Sequence, residues 1–288
     1  MVARRKKRIA GGLSYGVVFA IVSLVLALVA FCKTDSALSQ TAEAAGSING
    51  MPTVEQLTVV ATNQQLPEQL VEYPGMNLSF NSKMHQPNWV AWELTAEEVK
   101  GKVPRDENFY CDESVVGCPE TYDYKYSGFD RGHMCPAGDM KWSQEAMSSS
   151  FSLANICPQA KSLNTGAWKK LEEKCRKWAS ADGSVIIVCG PILTDTNIRE
   201  YIGDTRIAVP KRFFKVVLSP NANPARGIGF IMPNDKVPGG MQAAAVSIDE
   251  VEKQTGHDFF SALPDKIENE VEQQCDFHRW STYKKNDL

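Results

Sequence analysis

Asp130-Arg131-Gly132-His133, followed by Asn155-Ile156-Cys157-Pro158-Gln159 and Leu163-Asn164-Thr165-Gly166-Ala167-Trp168-Lys169-Lys170-Leu171-Glu172, is the part of the sequence whose reading decides the fold. The first run arrives at His133 like a strand. Residues 151–156 alternate as a second strand, which Pro158 is expected to stop. Ala167, Trp168, Leu171, Cys175 and Trp178 then fall on one stripe at helical spacing, so a helix is expected over 164–179. Together they predict a β-β-α unit whose polar side chains converge at one end.

The converging groups are those that phosphodiester cleavage needs: a base for the attacking water, positive charge on the phosphate, and help for the leaving oxygen. An unperturbed imidazole titrates at about 6.5, so His133 suits a general base. Arg131 supplies a permanently charged planar fork for phosphate oxygens. Asn164 and Glu172 offer hard oxygens to a magnesium ion or to its waters. Asn164 also stands where the helix begins, and a capping role would compete with a metal for its amide oxygen. Glu172 is about 12 Å further along the axis at 1.5 Å per residue. Both cannot grip one ion directly, so Glu172 belongs with the metal-bound waters, or else pairs with Arg176 at i+4. Asn155 and Gln159 either orient the site or satisfy backbone at the strand end.

Outward from this unit, 78–81 and 89–94 read as strands, and 95–98 begins with a helix-cap signal that Gly101 and Pro104 cut short. Ser143 is placed to cap a short helix over 142–147. Residues 185–189 form an apolar β-branched run ended by Gly190-Pro191, and further strands are expected at 207–209, 213–218 and 227–232. Helical stretches cover 248–254 and 258–274, whereas 54–70 could be a short strand or an ordering arm. The whole predicts one mixed α+β domain over 71–280, with a central mixed or antiparallel sheet flanked by helices.

The N-terminal end differs in kind. Arg4, Arg5, Lys6, Lys7 and Arg8 precede an uncharged apolar run of 24 residues, 9–32, long enough to span about 30 Å of hydrocarbon. This predicts a cytoplasmic basic segment (1–8), a transmembrane signal-anchor (9–32), a tether (33–70) and an extracytoplasmic domain anchored to the membrane by the N-terminal helix. A cleaved signal or lipoprotein would leave the domain secreted or periplasmic.

The chain holds 31 Lys and Arg against 34 Asp and Glu. Without the five basic residues of the leader the balance is 26 against 34, which excludes nucleic-acid binding by bulk charge. Any such face must be local, and residues 125–177 carry nine basic against five acidic residues. Seven cysteines lie beyond residue 32, and an oxidising compartment would favour pairing Cys111 with Cys118. Tyr122, Tyr124 and Tyr126 are candidates to stack on unpaired bases.

The 130–133, 155–159 and 164–172 runs resemble the signature of the DNA/RNA non-specific endonucleases, the ββα-metal (His-Me finger) family that includes endonuclease G. The likeness extends through Gly190-Pro191-Ile192 and Val209-Pro210-Lys211-Arg212-Phe213-Phe214-Lys215 to Thr255-Gly256-His257-Asp258-Phe259-Phe260. The resemblance implies His133 as general base and Asn164 as the direct protein ligand of one Mg2+, for which Mn2+ could substitute. It implies Glu172 on the ion's waters, Arg131 on phosphate, and Asn155 in support, with Asp130 and Gln159 beside it. Family members often carry a further catalytic arginine upstream, for which Arg105 is the nearby candidate. The expected function is a magnesium-dependent endonuclease acting on DNA and RNA. The alternatives are a nucleotide or phosphodiester hydrolase of the same fold, or a non-catalytic nucleic-acid uptake receptor. The sequence admits a homodimer without showing one.

Overall fold

A computed structural model describes residues 51–281. Strands β1 (Gln69–Tyr73), β2 (Met76–Asn81), β3 (Gln86–Thr95), β6 (Ser184–Pro191), β9 (Arg212–Ser219), β10 (Arg226–Pro233) and β11 (Ala245–Val246) pair antiparallel in that order. Two small antiparallel ladders stand apart, β4 (Asp130–His133) with β5 (Ile156–Gln159) and β7 (Ile198–Ile202) with β8 (Ile207–Pro210). The helices are α1 (Val54–Leu57), α2 (Gln144–Ser150), α3 (Lys169–Asp182), α4 (Gly240–Ala243), α5 (Ile248–Thr255), α6 (Asp265–Glu272) and α7 (Phe277–Ser281).

Every residue of β6 is buried, because this central strand is covered on both faces. Successive side chains point to opposite faces of a strand, and here they divide between two cores. Val185, Ile187 and Cys189 meet Trp168, Leu171 and Trp178 from the α3 side. Ile186 and Val188 meet Ile248, Val251 and Val271 from α5 and α6. Each fully buried Val, Ile or Leu side chain contributes about 1.5–3 kcal/mol, so this two-sided covering makes the sheet a rigid platform for α3.

Several boundaries differ from the sequence expectation. Residues 153–155 form a 3-10 turn, and β5 starts only at Ile156 and contains Pro158. A two-stranded ladder has only edges, where proline is tolerated, and the Pro158 carbonyl accepts a bond from Asn234 Nδ2 at 3.0 Å. The helix expected from 164 opens at Lys169, because Gly166 leaves helical geometry (φ −103°, ψ −115°) within a π-turn over Leu163–Trp168. After β3, Thr95 and Glu98 cap one another around a single 3-10 turn, Glu98–Lys100. Ser143 caps α2 as expected, its Oγ accepting from the Glu145 and Ala146 amides. Residues 258–264 are not helical: Asp258 pairs with Ala61 and Pro264 stands at the start of α6.

The open stretch 54–70 begins with α1 and buries Leu57 and Val60 in the α5–α6 core. The expected span 9–32 lies outside the described residues. Cys111 and Cys118, expected as a disulfide, are thiols, and Cys111 Sγ donates to the Cys118 carbonyl at 3.4 Å. Cys135, Cys157, Cys175 and Cys189 are free and buried, filling the core as small apolar groups.

Candidate active site

Arg131 and His133 are two apart on β4 and so project from the same face. A ladder results in which Arg131, His133 and Arg105 alternate with aromatic rings. The Arg131 guanidinium lies 5.8 Å from the Tyr124 ring centroid and 5.3 Å from that of Phe109. The His133 ring sits between Phe109 at 5.3 Å and Phe151 at 4.9 Å, and Arg105 lies 4.9 Å over the Phe151 ring. Each such cation contact is worth about 0.5–2 kcal/mol, depending on exposure. Arg131 Nη2 also donates to the Thr121 carbonyl at 2.7 Å, which fixes the fork.

His133 is only 8% exposed, and its Nε2 has no hydrogen-bond partner. Burial, helped by the Arg105 charge, pushes its pKa down to about 3. The imidazole is therefore neutral near pH 7. Trp168 Nε1 donates to the His133 carbonyl at 3.3 Å, tying the end of β4 to the turn that leads into α3.

Asn164 is not a cap. Its backbone amide donates to the Ala160 carbonyl at 3.0 Å, and its side-chain Nδ2 donates to Asp130 Oδ2 at 2.9 Å. A carboxylate only accepts, so Asp130 turns the amide nitrogen toward itself and leaves Oδ1 without a hydrogen bond among the described residues. Asn164 and Arg131 share a cleft of about 650 Å³ with Phe109, Tyr122, Tyr124 and Lys125. Of the three tyrosines, Tyr122 and Tyr126 are exposed, whereas Tyr124 is buried beneath Arg131.

Glu172, in the first turn of α3, is half-buried and has no hydrogen-bond or ion-pair partner among the described residues. Arg176, its i+4 candidate, pairs instead with Asp139 at 2.6 Å. Burial pushes the Glu172 carboxyl up to about 7, against the opposing pull of Lys215. Lys215 is fully buried, its Nζ 4.5 Å from the Trp168 ring centroid and 5.0 Å from that of Trp92. The bare Asn164 amide oxygen and the Glu172 carboxylate are both hard oxygens, the donor type that divalent cations of magnesium's class take.

Asn155 is fully buried and fully bonded. Its Oδ1 accepts from the Cys135 amide at 2.9 Å, and its Nδ2 donates to the carbonyls of Cys135 at 2.9 Å and Ser150 at 2.8 Å. It staples the chain just after His133 to the end of α2. Gln159 is also buried, but neither of its polar side-chain atoms has a partner. Its amide packs on Gly132, where a Cβ would lie 2.2 Å from Oε1, so only glycine fits between Arg131 and His133.

The sequence reading missed Phe109, Phe151 and Lys215. Phe109 is remote from the motif, and nothing local separates these aromatics from ordinary core residues. A lysine in the strand-like run 213–218 was the one available signal for Lys215.

The sequence profile of the DNA/RNA non-specific endonucleases matches residues 54–266. The chain belongs to this family. This nuclease is thus a hydrolase acting on nucleic acids. It is 34% identical over 245 residues to "Nuclease EXOG, mitochondrial" of Danio rerio, the match taking in 76% of this chain and 71% of the relative. It is 35% identical over 210 residues to "Mitochondrial nuclease" of Saccharomyces cerevisiae, covering 64% of this chain and 63% of that protein. Among solved structures, the crystal structure of the EndoG/EndoGI complex matches with a TM-score of 0.64 at 28% identity, over 70% of this chain and 89% of that one. The fold is accordingly that of the ββα-metal nucleases.

These relatives correct one expectation. Nucleases from Danio rerio, Saccharomyces cerevisiae and Schizosaccharomyces pombe are named mitochondrial, and among the described residues no helix is long and apolar enough to cross a membrane. Extracytoplasmic anchoring, with the membrane as a partner, is not supported. A basic leader free of acidic residues is used by more than one targeting system, so positive charge before an apolar run does not name the compartment.

Proposed function

We propose that this nuclease is a magnesium-dependent endonuclease that hydrolyses phosphodiester bonds of DNA and RNA with little sequence preference. The observation that carries the reading is the Asn164 amide, turned by Asp130 so that its oxygen stands bare in the cleft shared with Arg131. Asn164 would hold the ion directly and Glu172 would hold its waters, with Mn2+ as a substitute. When bound, the ion neutralises phosphate charge and stabilises the leaving oxygen.

The protein's own groups do the rest. His133, neutral near pH 7, accepts the proton of the attacking water. A phosphodiester anion entering beside it offsets the Arg105 charge, which favours the protonated imidazole. Arg131, held by Thr121 and Phe109, presents its fork to a non-bridging phosphate oxygen. Arg105, exposed and over the Phe151 ring, lies where a neighbouring phosphate would pass. A cleft of cations and ring faces meets phosphates and bases of any identity, which supports sequence indifference.

The test uses the full chain on supercoiled plasmid, single-stranded RNA and a dinucleotide, with Mg2+, with Mn2+ and with EDTA. Both polymers should be cut, the dinucleotide poorly, EDTA should abolish cutting, and His133→Ala or Asn164→Ala should each lower its rate by about a hundredfold or more. Undiminished cleavage after chelation would refute the proposal. Binding without cleavage by the unmodified chain would favour a receptor, and preference for the dinucleotide a small-substrate hydrolase.

A further inference from the structure

On the face of the sheet opposite α3, helices α5 and α6 bring Asp249, Glu252 and Glu272 together, with one carboxylate oxygen from each lying within 4.8 Å of the others. Oxygens bound to one calcium ion at about 2.4 Å can be no more than about 4.8 Å apart, so the spacing is that of a shared ion. Three further observations point the same way. Glu272 is only 9% exposed, and its Oε1 is sealed from solvent without any hydrogen-bond partner. Glu272 is also the last residue of α6, where the helix carbonyls already concentrate negative charge and a carboxylate is misplaced unless a cation lies beside it. Lys253, the basic residue in the last turn of α5, does not serve as that cation, since it pairs with Glu250 at 3.4 Å. Glu252 Oε1 is engaged by the Phe259 amide at 2.8 Å, which fixes the carboxylate while leaving its other oxygen. Asp258 and Glu268 add to the surrounding negative charge.

We propose that Asp249, Glu252 and Glu272 bind a divalent cation of calcium's class, which ties α6 to α5 against β10 and is separate from the ion of the active site. Exposed Asp249 leaves water positions on the open side, as a six- to eight-coordinate ion requires. The role is structural: a buried, unpaired carboxylate is costly, and the cation converts it into a bond between two helices. Magnesium, which gives up its waters reluctantly, fits less well.

The test follows thermal unfolding of the full chain in an Asn164→Ala background, which removes the active-site ligand. After exhaustive chelation, calcium at ten times its dissociation constant should lower the unfolding equilibrium constant about elevenfold and raise Tm by about 3–5 °C. Adding Glu272→Gln should abolish the calcium response while leaving the calcium-free protein as stable as its parent or more so, because the amide has the carboxyl's shape and carries no charge to bury. Should Glu272→Gln fail to fold, the surface change Asp249→Asn should weaken calcium at least tenfold. Isothermal titration should show one bound calcium lost with Glu272→Gln in the otherwise unmodified chain. An equal calcium response with and without these changes, or none in the Asn164→Ala parent, would overturn the proposal. A magnesium response equal to that of calcium would overturn the assignment to calcium's class.

Discussion

Asn155→Ala tests whether the catalytic strand is held by the staple behind it. The change removes three buried hydrogen bonds, of 2.9, 2.9 and 2.8 Å, and strands the Cys135 amide and two carbonyls in a fully buried place. At about 1 kcal/mol net for each bond, with some further cost for the orphaned amide, the loss is roughly 3–4 kcal/mol. For a domain of this size 1 kcal/mol moves Tm by about 2–4 °C, so a fall of about 10 °C is expected. Differential scanning calorimetry or circular dichroism would measure it, beside nicking activity assayed well below the lowered Tm. Residue 135 is two beyond His133, so activity should also fall in the folded variant, and Asn155→Asp should not restore it: the carboxylate keeps the acceptor but loses both donated bonds. A Tm within about 2 °C of the unmodified protein, with full activity, would refute the staple.

His133→Ala should lower the cleavage rate by about 10²–10⁴, the usual contribution of a positioned base, while leaving the circular dichroism spectrum unchanged. Lys215→Met should act on Glu172 from beneath. Lys215 holds the Glu172 carboxyl down against burial, so its removal lifts that pKa above about 7, and the acid limb of the pH–rate profile should move to higher pH. An unmoved limb would free Glu172 of this coupling. His257, 4% exposed, is pushed down by burial to about 4, below its ordinary value of about 6.5. Its stabilisation is therefore complete above about pH 6.5 and is lost as pH falls toward 4, at up to about 1.4 kcal/mol per pH unit. Urea titrations at pH 7 and pH 5 should show His257→Phe losing about 2 kcal/mol less over that interval than the unmodified chain, although its stability at pH 7 is lower because the Asn63 amide loses its acceptor.

The sequence by itself determined the chemistry on offer and the order in which it is strung. The spacing of Asp130, Arg131, His133, Asn164 and Glu172 selects a β-β-α unit and its family, because strand and helix periods are local properties that a short window carries. Even the caps at Thr95 and Ser143 were legible, since each is satisfied within three residues. What failed locally was also informative: the helix could not be trimmed to begin at Lys169, because only the folded turn shows Gly166 leaving helical geometry. Tertiary structure alone decided how each group is tuned. Asn164 became a bare oxygen rather than a cap because Asp130, 34 positions earlier, takes its amide nitrogen. His133 is neutral because Phe109 and Phe151 exclude water from its ring and Arg105 opposes its charge. Lys215 lies under α3 because β9 is the strand that packs there. Hydrogen-bond direction, dielectric surroundings and charge proximity depend on distance through space, and residues far apart along the chain become neighbours only when the sheet and its covering helices close.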